Sequence, residues 1–520
     1  MNYKNINNIK RLIYITSVIA LFYQLLIFNT INELLVILII FFSNIITTIY
    51  CLNNKTFFKY PISLLMIFFS YFLNLGNALY FKSFEFSLIT ENLEMPLFTV
   101  VNLSIFNLLF ILSHFFYTKS YYSNNIKESL NFFLIKKDFF DTKNINLFYL
   151  ISFIALMGRI LYLDYNQLFD NQYSTTTGPN LFRDFINGLS FCYLMPIVVF
   201  FSDDLIQVNT TKKNYIFFIL SFICIIFIAF TGNSRATLFD PFLLAFILIF
   251  LRFLFDKIKS KRNSFFQFTL ILVISFISIN VVEDISKNFI QQKEDKKNIT
   301  PLENLTVLLN SIISKDDFSK YENETDQVSN RNFFAEDYYK STIFNRMNFL
   351  LIHDNYSYIK KSLSISQINS LKNLQKNKLI SILPQPIINL FFNNFNKENY
   401  IRVTTASYLY GKINFEFDSF SIGSGLFSVF IMFGNWTYLI FLFLFIPSFI
   451  FFDSFYDHKR QYFSPYIFIF IFTTSSGVLN FMAAKDAYVW IELPFRTILQ
   501  SLLFIFIIKF FFEKFYSSRK

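Results

Sequence analysis

"FDSFSIGSGLFSVFIMFGNWTYLIFLFLFIPSFIFF" occupies Phe417–Phe452 and sets the class of structure to expect. A helix crosses about 30 Å of hydrocarbon with about 20 apolar residues, so this stretch is too long for one straight span. Gly423, Gly425 and Gly434 interrupt it. The expected structure is a short half-helix dipping at the membrane surface, followed by a full span from about Trp436. Broken backbone at that depth persists only where it lines a cavity or is buried in protein. The chain is therefore expected to be a polytopic helical membrane protein with something built around the break.

The rest of the chain agrees with that reading. Its 520 residues are 54% hydrophobic, with a mean hydropathy of +0.43, outside the range of a soluble domain of this size. Apolar runs long enough to cross a bilayer lie near residues 11–29, 33–52, 60–78, 97–117, 146–163, 186–202, 214–231, 236–254, 265–282, 427–452, 464–481 and 493–512. The expectation is an all-α fold of about 12 spans. The first run has no small-residue cleavage site after it and meets another span at once, so it is expected to be an anchor and not a removable signal.

Charge sets the orientation. The segments "NNKTFFK", "TKSYYSNNIKESLNFFLIKKDFFDTK", "NTTKK", "RFLFDKIKSKR", "DSFYDHKR" and "EKFYSSRK", with the N-terminus, hold most of the Lys and Arg outside the large loop described next. The positive-inside rule puts all of them, and both termini, in the cytoplasm. That excess accounts for the net charge of +11 without a nucleic-acid partner. Cys51, Cys192 and Cys224 fall in or beside apolar spans with no metal-ligand spacing, so neither a disulfide framework nor a metal site is expected.

One segment departs from short connections. Residues 1–282 hold the first nine spans, residues 283–418 form a polar loop on the outside, and residues 419–520 carry the half-helix and the last three spans. A loop of that length between membrane helices is either functional or disordered. Helical periodicity in Pro301–Phe318 and Ala335–Tyr356 favours order. Arg346 and His353 are seven apart in the second of these and share a face. Residues 382–392 are apolar with two prolines, a segment expected to lie on the bilayer or cap a cavity within it.

The chemistry-bearing candidates are cations on the outer side. Arg235 sits in "TGNSRATL" between two spans, where a helix N-terminus and a guanidinium together bind phosphate; a snorkelling interfacial arginine is the plainer account. Arg183, Arg331, Arg346 and Arg402 lie in outside segments, and Arg159 and Arg496 lie within apolar runs near their outer ends. Ionisable residues in spans are functional candidates unless paired, and Asp164 competes as a structural partner for Arg159. His353 is a candidate proton acceptor beside Arg346, oriented by Asp354. There is no Walker-type phosphate loop, and "SDDL" falls on the cytoplasmic side, so neither nucleotide hydrolysis nor metal-dependent outer-face chemistry is indicated.

In layout and short motifs the chain resembles the bacterial O-antigen and oligosaccharide-repeat-unit polymerases (Wzy-type), which are related to O-antigen ligases. "TGNSRATL" resembles their Gly-Ser-Arg turn, "FNRMNFLLIHDNYSY" the arginine helix early in their large loop, and "ISILPQPIINLF" its proline-bearing stretch. "SIGSGLFSVFIMFGNW" is similar to their re-entrant segment, with Ser424 where an acidic residue is common. The similarity covers about residues 140–450. It implies a GT-C-like helical fold and a metal-independent glycosyltransferase with no cofactor. Such an enzyme moves a glycan from a polyprenyl diphosphate to a lipid-linked acceptor at the outer face of the inner membrane. Arg346 and His353 are then the catalytic candidates, Arg235, Arg402, Arg183 and Arg159 hold the lipid diphosphate, and a chain-length regulator is a candidate partner. A lipid-linked oligosaccharide flippase and an O-antigen ligase are the alternatives, and sugar and linkage are not encoded in these features.

Overall fold

A computed structural model describes residues 4–142, 145–168, 189–208, 212–231, 235–255, 338–339, 349–392, 395–401, 405, 408–409, 423–471 and 486–517. These residues are mostly helical. Six of their helices are long and apolar enough to cross a membrane. The chain divides into two compact units, one built from Met1–Leu134, Asn332–Gln461 and Ser476–Ile498, the other from Ile135–Arg331, Tyr462–Ser475 and Leu499–Lys520.

The first unit contains α1 (Lys4–Ile27), α2 (Ile31–Cys51), α3 (Pro61–Phe84), α4 (Pro96–Lys119) and the shorter α5 (Tyr121–Lys136). From the large loop it takes α6 (Leu350–Ser362), α7 (Ile365–Ile380) and α8 (Gln385–Phe391). It is completed by α9 (Gly425–Phe433), α10 (Trp436–Asp453) and the start of α11 (Val489–Lys514). Local chemistry explains many of the boundaries. Thr30 and Glu33 form a capping box at the start of α2, as Ser364 and Gln367 do for α7. Proline stands in the first turn of α3, α4 and α8, where its missing N–H costs nothing.

The break read in Phe417–Phe452 is present. Ser424 caps α9 by accepting from Phe427 N, and α9 ends at Gly434, whose φ of +55° and ψ of −132° suit glycine alone. A new helix starts at Trp436. The half-helix is buried from Gly425 to Met432, with Phe427 and Phe430 against Phe106 of α4 and Lys360 of α6 lying 3.8 Å from the Phe430 ring centroid. α3 carries a second irregularity, a π-helical turn over Phe72–Gly76. Gly76 is needed there because a Cβ would sit 2.7 Å from the Tyr71 ring.

Within this unit the connections gather at two ends. At one, Asn54 donates to Asn7, Tyr60 to Asn124, and Asn131 to the Ser454 carbonyl, so the Lys-bearing connections 52–60 and 119–134 lie together with residues 453–460. At the other, Gln24 bonds the backbone of Ser87 and Ile89, Tyr338 donates to the Ile89 carbonyl, and Asp354 reaches the backbone of Glu94 and Met95. Tyr338 and Asp354 of the large loop therefore meet the end opposite the lysine-rich connections.

Polar side chains join the apolar helices, as expected where hydrophobicity cannot drive helix association. Ser43 donates to Ser104, Asn107 to Thr47, and Asn44 to Ser17. At the lysine-rich end a longer chain crosses four helices. Tyr50 is 2.8 Å from His114 Nδ1, His114 Nε2 is 2.8 Å from Ser63 Oγ, and Ser63 donates to Asp453 at 2.6 Å. The Ser63 N–H and Tyr117 hydroxyl also donate to this carboxylate.

The second unit contains helices Ile145–Leu168, Lys212–Thr231 and Arg235–Leu254, with shorter segments between. Stacked rings hold them: Tyr149 on Phe217 at 4.6 Å and Phe200 on Phe218 at 4.3 Å. Tyr193 donates to Asp240, and Arg252 pairs with Asp204 at 3.0 Å. That pair joins "SDDL" to the end of helix Arg235–Leu254, two segments expected on the same side. Among the expected spans, 265–282 lies outside the described residues and 464–481 is described only to residue 471.

Candidate functional site

The described geometry centres on His353, in the second turn of α6. Its Nε2 is 2.6 Å from Asn74 Oδ1, and its Nδ1 is 2.7 Å from Ser424 Oγ. Asn74 uses its amide nitrogen on the Ser70 carbonyl, so its oxygen must accept and His353 Nε2 must carry the proton. Nδ1 is then bare and accepts from the Ser424 hydroxyl, while Ser424 Oγ accepts from Phe427 N at 3.1 Å. Every polar atom in this node has one consistent role. Three segments far apart in sequence meet there: the π-turn of α3, the loop helix α6 and the cap of the half-helix α9.

Burial deprives the imidazolium of water and pushes His353 down to about 3. The ring is neutral at physiological pH and lies against Phe427, with centroids 5.4 Å apart. The π-turn also offers the Leu73 carbonyl to Phe349 N at 3.4 Å. π-turns recur at functional sites because they redirect side chains and free backbone groups; here the turn aims Asn74 at the loop helix.

Asp354 does not orient His353, contrary to the expectation from sequence. Its carboxylate accepts from Glu94 N, Met95 N and the Thr99 hydroxyl at 2.6, 3.0 and 2.9 Å. It thus supplies the N-terminal cap that α4 lacks locally. Adjacent helical residues diverge by about 100°, so His353 and Asp354 face different neighbours. Burial raises the Asp354 carboxyl, and these hydrogen bonds oppose the rise.

A second buried node ties α7 to the segment before α11. Lys378 Nζ and Asp486 Oδ2 are 2.7 Å apart, with side chains 1% and 6% exposed. Thr405 N donates to Asp486 Oδ1 at 3.0 Å, and Gln375 donates to the Thr405 hydroxyl. Burial raises the Asp486 carboxyl from its ordinary value, against the pull of Lys378. Arg496, in the first turns of α11, pairs with Glu492 at 3.2 Å and reaches the Ser381 carbonyl. Between α3, α4 and α9 a small cavity is lined in part by Ser70, Asn74 and Asn107, and Asn107 Oδ1 has no hydrogen-bond partner among the described residues.

The remaining candidates are distributed as follows. Arg183, Arg346 and Arg402 lie outside the described residues. Arg159 falls within helix Ile145–Leu168, and Arg235 is the first residue of helix Arg235–Leu254, close to the start expected from the "GNSR" turn. Sequence reasoning missed Asn74 and the Lys378–Asp486 pair. An asparagine inside an apolar run was the available signal for the first; nothing local marks the second, whose members are 108 residues apart. Among the described residues no group of three or more His, Cys, Asp or Glu is placed to hold a metal. Comparison with family models, curated proteins and solved structures finds no match.

Proposed function

We propose that this chain is a polysaccharide polymerase of the inner membrane with about 12 spans and cytoplasmic termini, its large loop and working site facing the exterior. It would transfer a growing glycan from a polyprenyl diphosphate to the sugar of a lipid-linked repeat unit. The observation that carries this reading is the His353–Ser424–Asn74 node. A re-entrant half-helix and a loop helix locked onto an intramembrane π-turn form a built support for a site at the bilayer surface, where a lipid-linked substrate presents its diphosphate. The motif resemblance adds the chemistry.

In the proposed step the bond from the anomeric carbon to the diphosphate oxygen breaks and one to the acceptor oxygen forms. The acceptor proton leaves to water or to the departing diphosphate. Charge builds on the diphosphate, and guanidinium groups stabilise it through bidentate, charge-assisted bonds. Arg346 is assigned to the departing group, and Arg235, Arg402, Arg183 and Arg159 to holding the lipid diphosphate. His353 is assigned as a positioning residue, because acting as a base would require it to give up Ser424 or Asn74.

The test is a gel ladder of surface glycan from a deletion strain complemented with the wild-type chain, Arg235→Ala or Arg346→Ala. Loss of one charge-stabilising donor typically costs about 3–4 kcal/mol in barrier, a few hundredfold in rate. Single repeat units in the deletion, with arginine variants that reach the membrane but do not restore the ladder, are expected. Repeat units trapped on the cytoplasmic leaflet of the deletion strain would overturn the proposal in favour of a flippase. Undecorated lipid A-core beside full-length polymer on its lipid carrier would overturn it in favour of a ligase.

A further inference from the structure

We infer that α8 is a membrane-seating element: its outward face, led by Ile387, Leu390 and Phe391, inserts into the lipid bilayer beside the first turns of α11. The inference stands on geometry independent of the proposed reaction.

Residues 379–396, "LISILPQPIINLFFNNFN", contain no charged residue, although they follow the lysine-bearing α7. Two prolines and a short helix keep this run from crossing a membrane. Its outward face is apolar: Ile387 is 41% exposed, Leu390 79% and Phe391 73%, while Ile388 on the opposite side is fully buried. The polar side chains satisfy themselves, with Gln385 donating to Asn389 and to the Phe395 carbonyl. Asn389 is exposed as well, but it lies about 160° round the helix from Ile387 and Phe391 and so off their face.

The occupant follows from what lies beside it. Lys378 is held to Asp486, three residues before α11, and Arg496 within α11 reaches the Ser381 carbonyl. The turn leading into α8 is thereby fixed at the level where α11 begins. α11 is one of the six membrane-length helices, and its Phe495 and Leu499, on either side of Arg496 in the chain, are about half exposed as lipid-facing side chains are. The apolar face of α8 thus sits at the depth where the bilayer starts. A short amphipathic helix there buries its apolar side at the headgroup–acyl boundary.

The test uses the full-length chain in liposomes of phosphatidylcholine and phosphatidylglycerol. An environment-sensitive fluorophore is attached at Leu390→Cys and, in a separate sample, at the water-exposed Asn373→Cys of α7, both with Cys224→Ser. Cys51 and Cys192 are buried and do not compete for label. Lipids spin-labelled near the headgroup should quench position 390 several-fold more strongly than position 373, and aqueous iodide should do the reverse. Equal iodide quenching at both positions would overturn the inference. So would spontaneous disulfide pairing between two Leu390→Cys chains with no quenching from lipid, which would assign the face to a second copy of the chain. Leu390→Asp, in a chain that still reaches the membrane, should move the label at a neighbouring Ile387→Cys from lipid-quenched to iodide-quenched.

Discussion

Replacing Lys378 by Met should destabilise the protein by about 3–5 kcal/mol, the usual result of stranding one member of a buried ion pair. The structure supports the upper part of that range. Both side chains are almost wholly buried, the contact is 2.7 Å, and in the variant the Asp486 carboxylate would keep only uncharged donors, the Thr405 N–H and the Gln375 side chain. Methionine preserves the length of the lysine stem, so the loss is chiefly of charge and not of packing. Adding Asp486→Asn removes the stranded charge while keeping an acceptor for Thr405, and should recover more than half of the loss. Burial already holds the Asp486 carboxyl above its unfolded value, and loss of Lys378 lifts it further. A raised carboxyl contributes stability below its unfolded pKa, and that contribution is lost as pH rises through the folded one. The gap between variant and wild type should therefore narrow as the pH is lowered and the stranded carboxyl takes up a proton. Unfolding in mixed micelles followed by Trp fluorescence reads this junction, because Trp490 is buried against Phe441 and Phe445. A Lys378→Met variant within about 0.5 kcal/mol of wild type, the range of ordinary surface substitutions, would refute the reasoning.

Three further outcomes follow from the geometry. His353 is held neutral with a pKa of about 3, so the unfolded chain binds one more proton between that value and about 6.5, and stability should fall on acidification by up to about 1.4 kcal/mol per pH unit. His353→Gln should show an acid slope shallower by that one-proton amount in a titration of unfolding, and equal slopes would contradict the buried node. Gly434→Ala should cost about 1–2 kcal/mol through backbone strain alone, because no atom lies within 4 Å of the added Cβ; a neutral result in the same unfolding assay would argue against the positive φ. Ser63→Ala removes the hydroxyl between His114 and Asp453 and should cost about 1–3 kcal/mol, since both buried partners then lack a bond. An unchanged stability would show that the chain from Tyr50 to Asp453 does not hold these helices.

The features legible along the chain are those that short-range physics controls. Apolar runs of span length, the half-helix stopped at Gly434, and a helix beginning beside "GNSR" are set by neighbours within a few residues, and each is legible because hydrophobic length, glycine conformation and capping act locally. Tertiary structure alone decided where the polar groups of the first unit go. His353 and Asp354 are adjacent in the chain, and sequence alone pairs them. Their partners lie instead on α3 and α9 for one, and on α4 and the turn before it for the other, because helical rotation turns adjacent side chains apart and a buried polar atom takes whichever donor or acceptor the packing brings to it. The same holds for Lys378 and Asp486 and for the chain from Tyr50 to Asp453. In an apolar interior each polar group must find a partner, but the sequence carries only that demand, and the pairing is chosen by which helices touch.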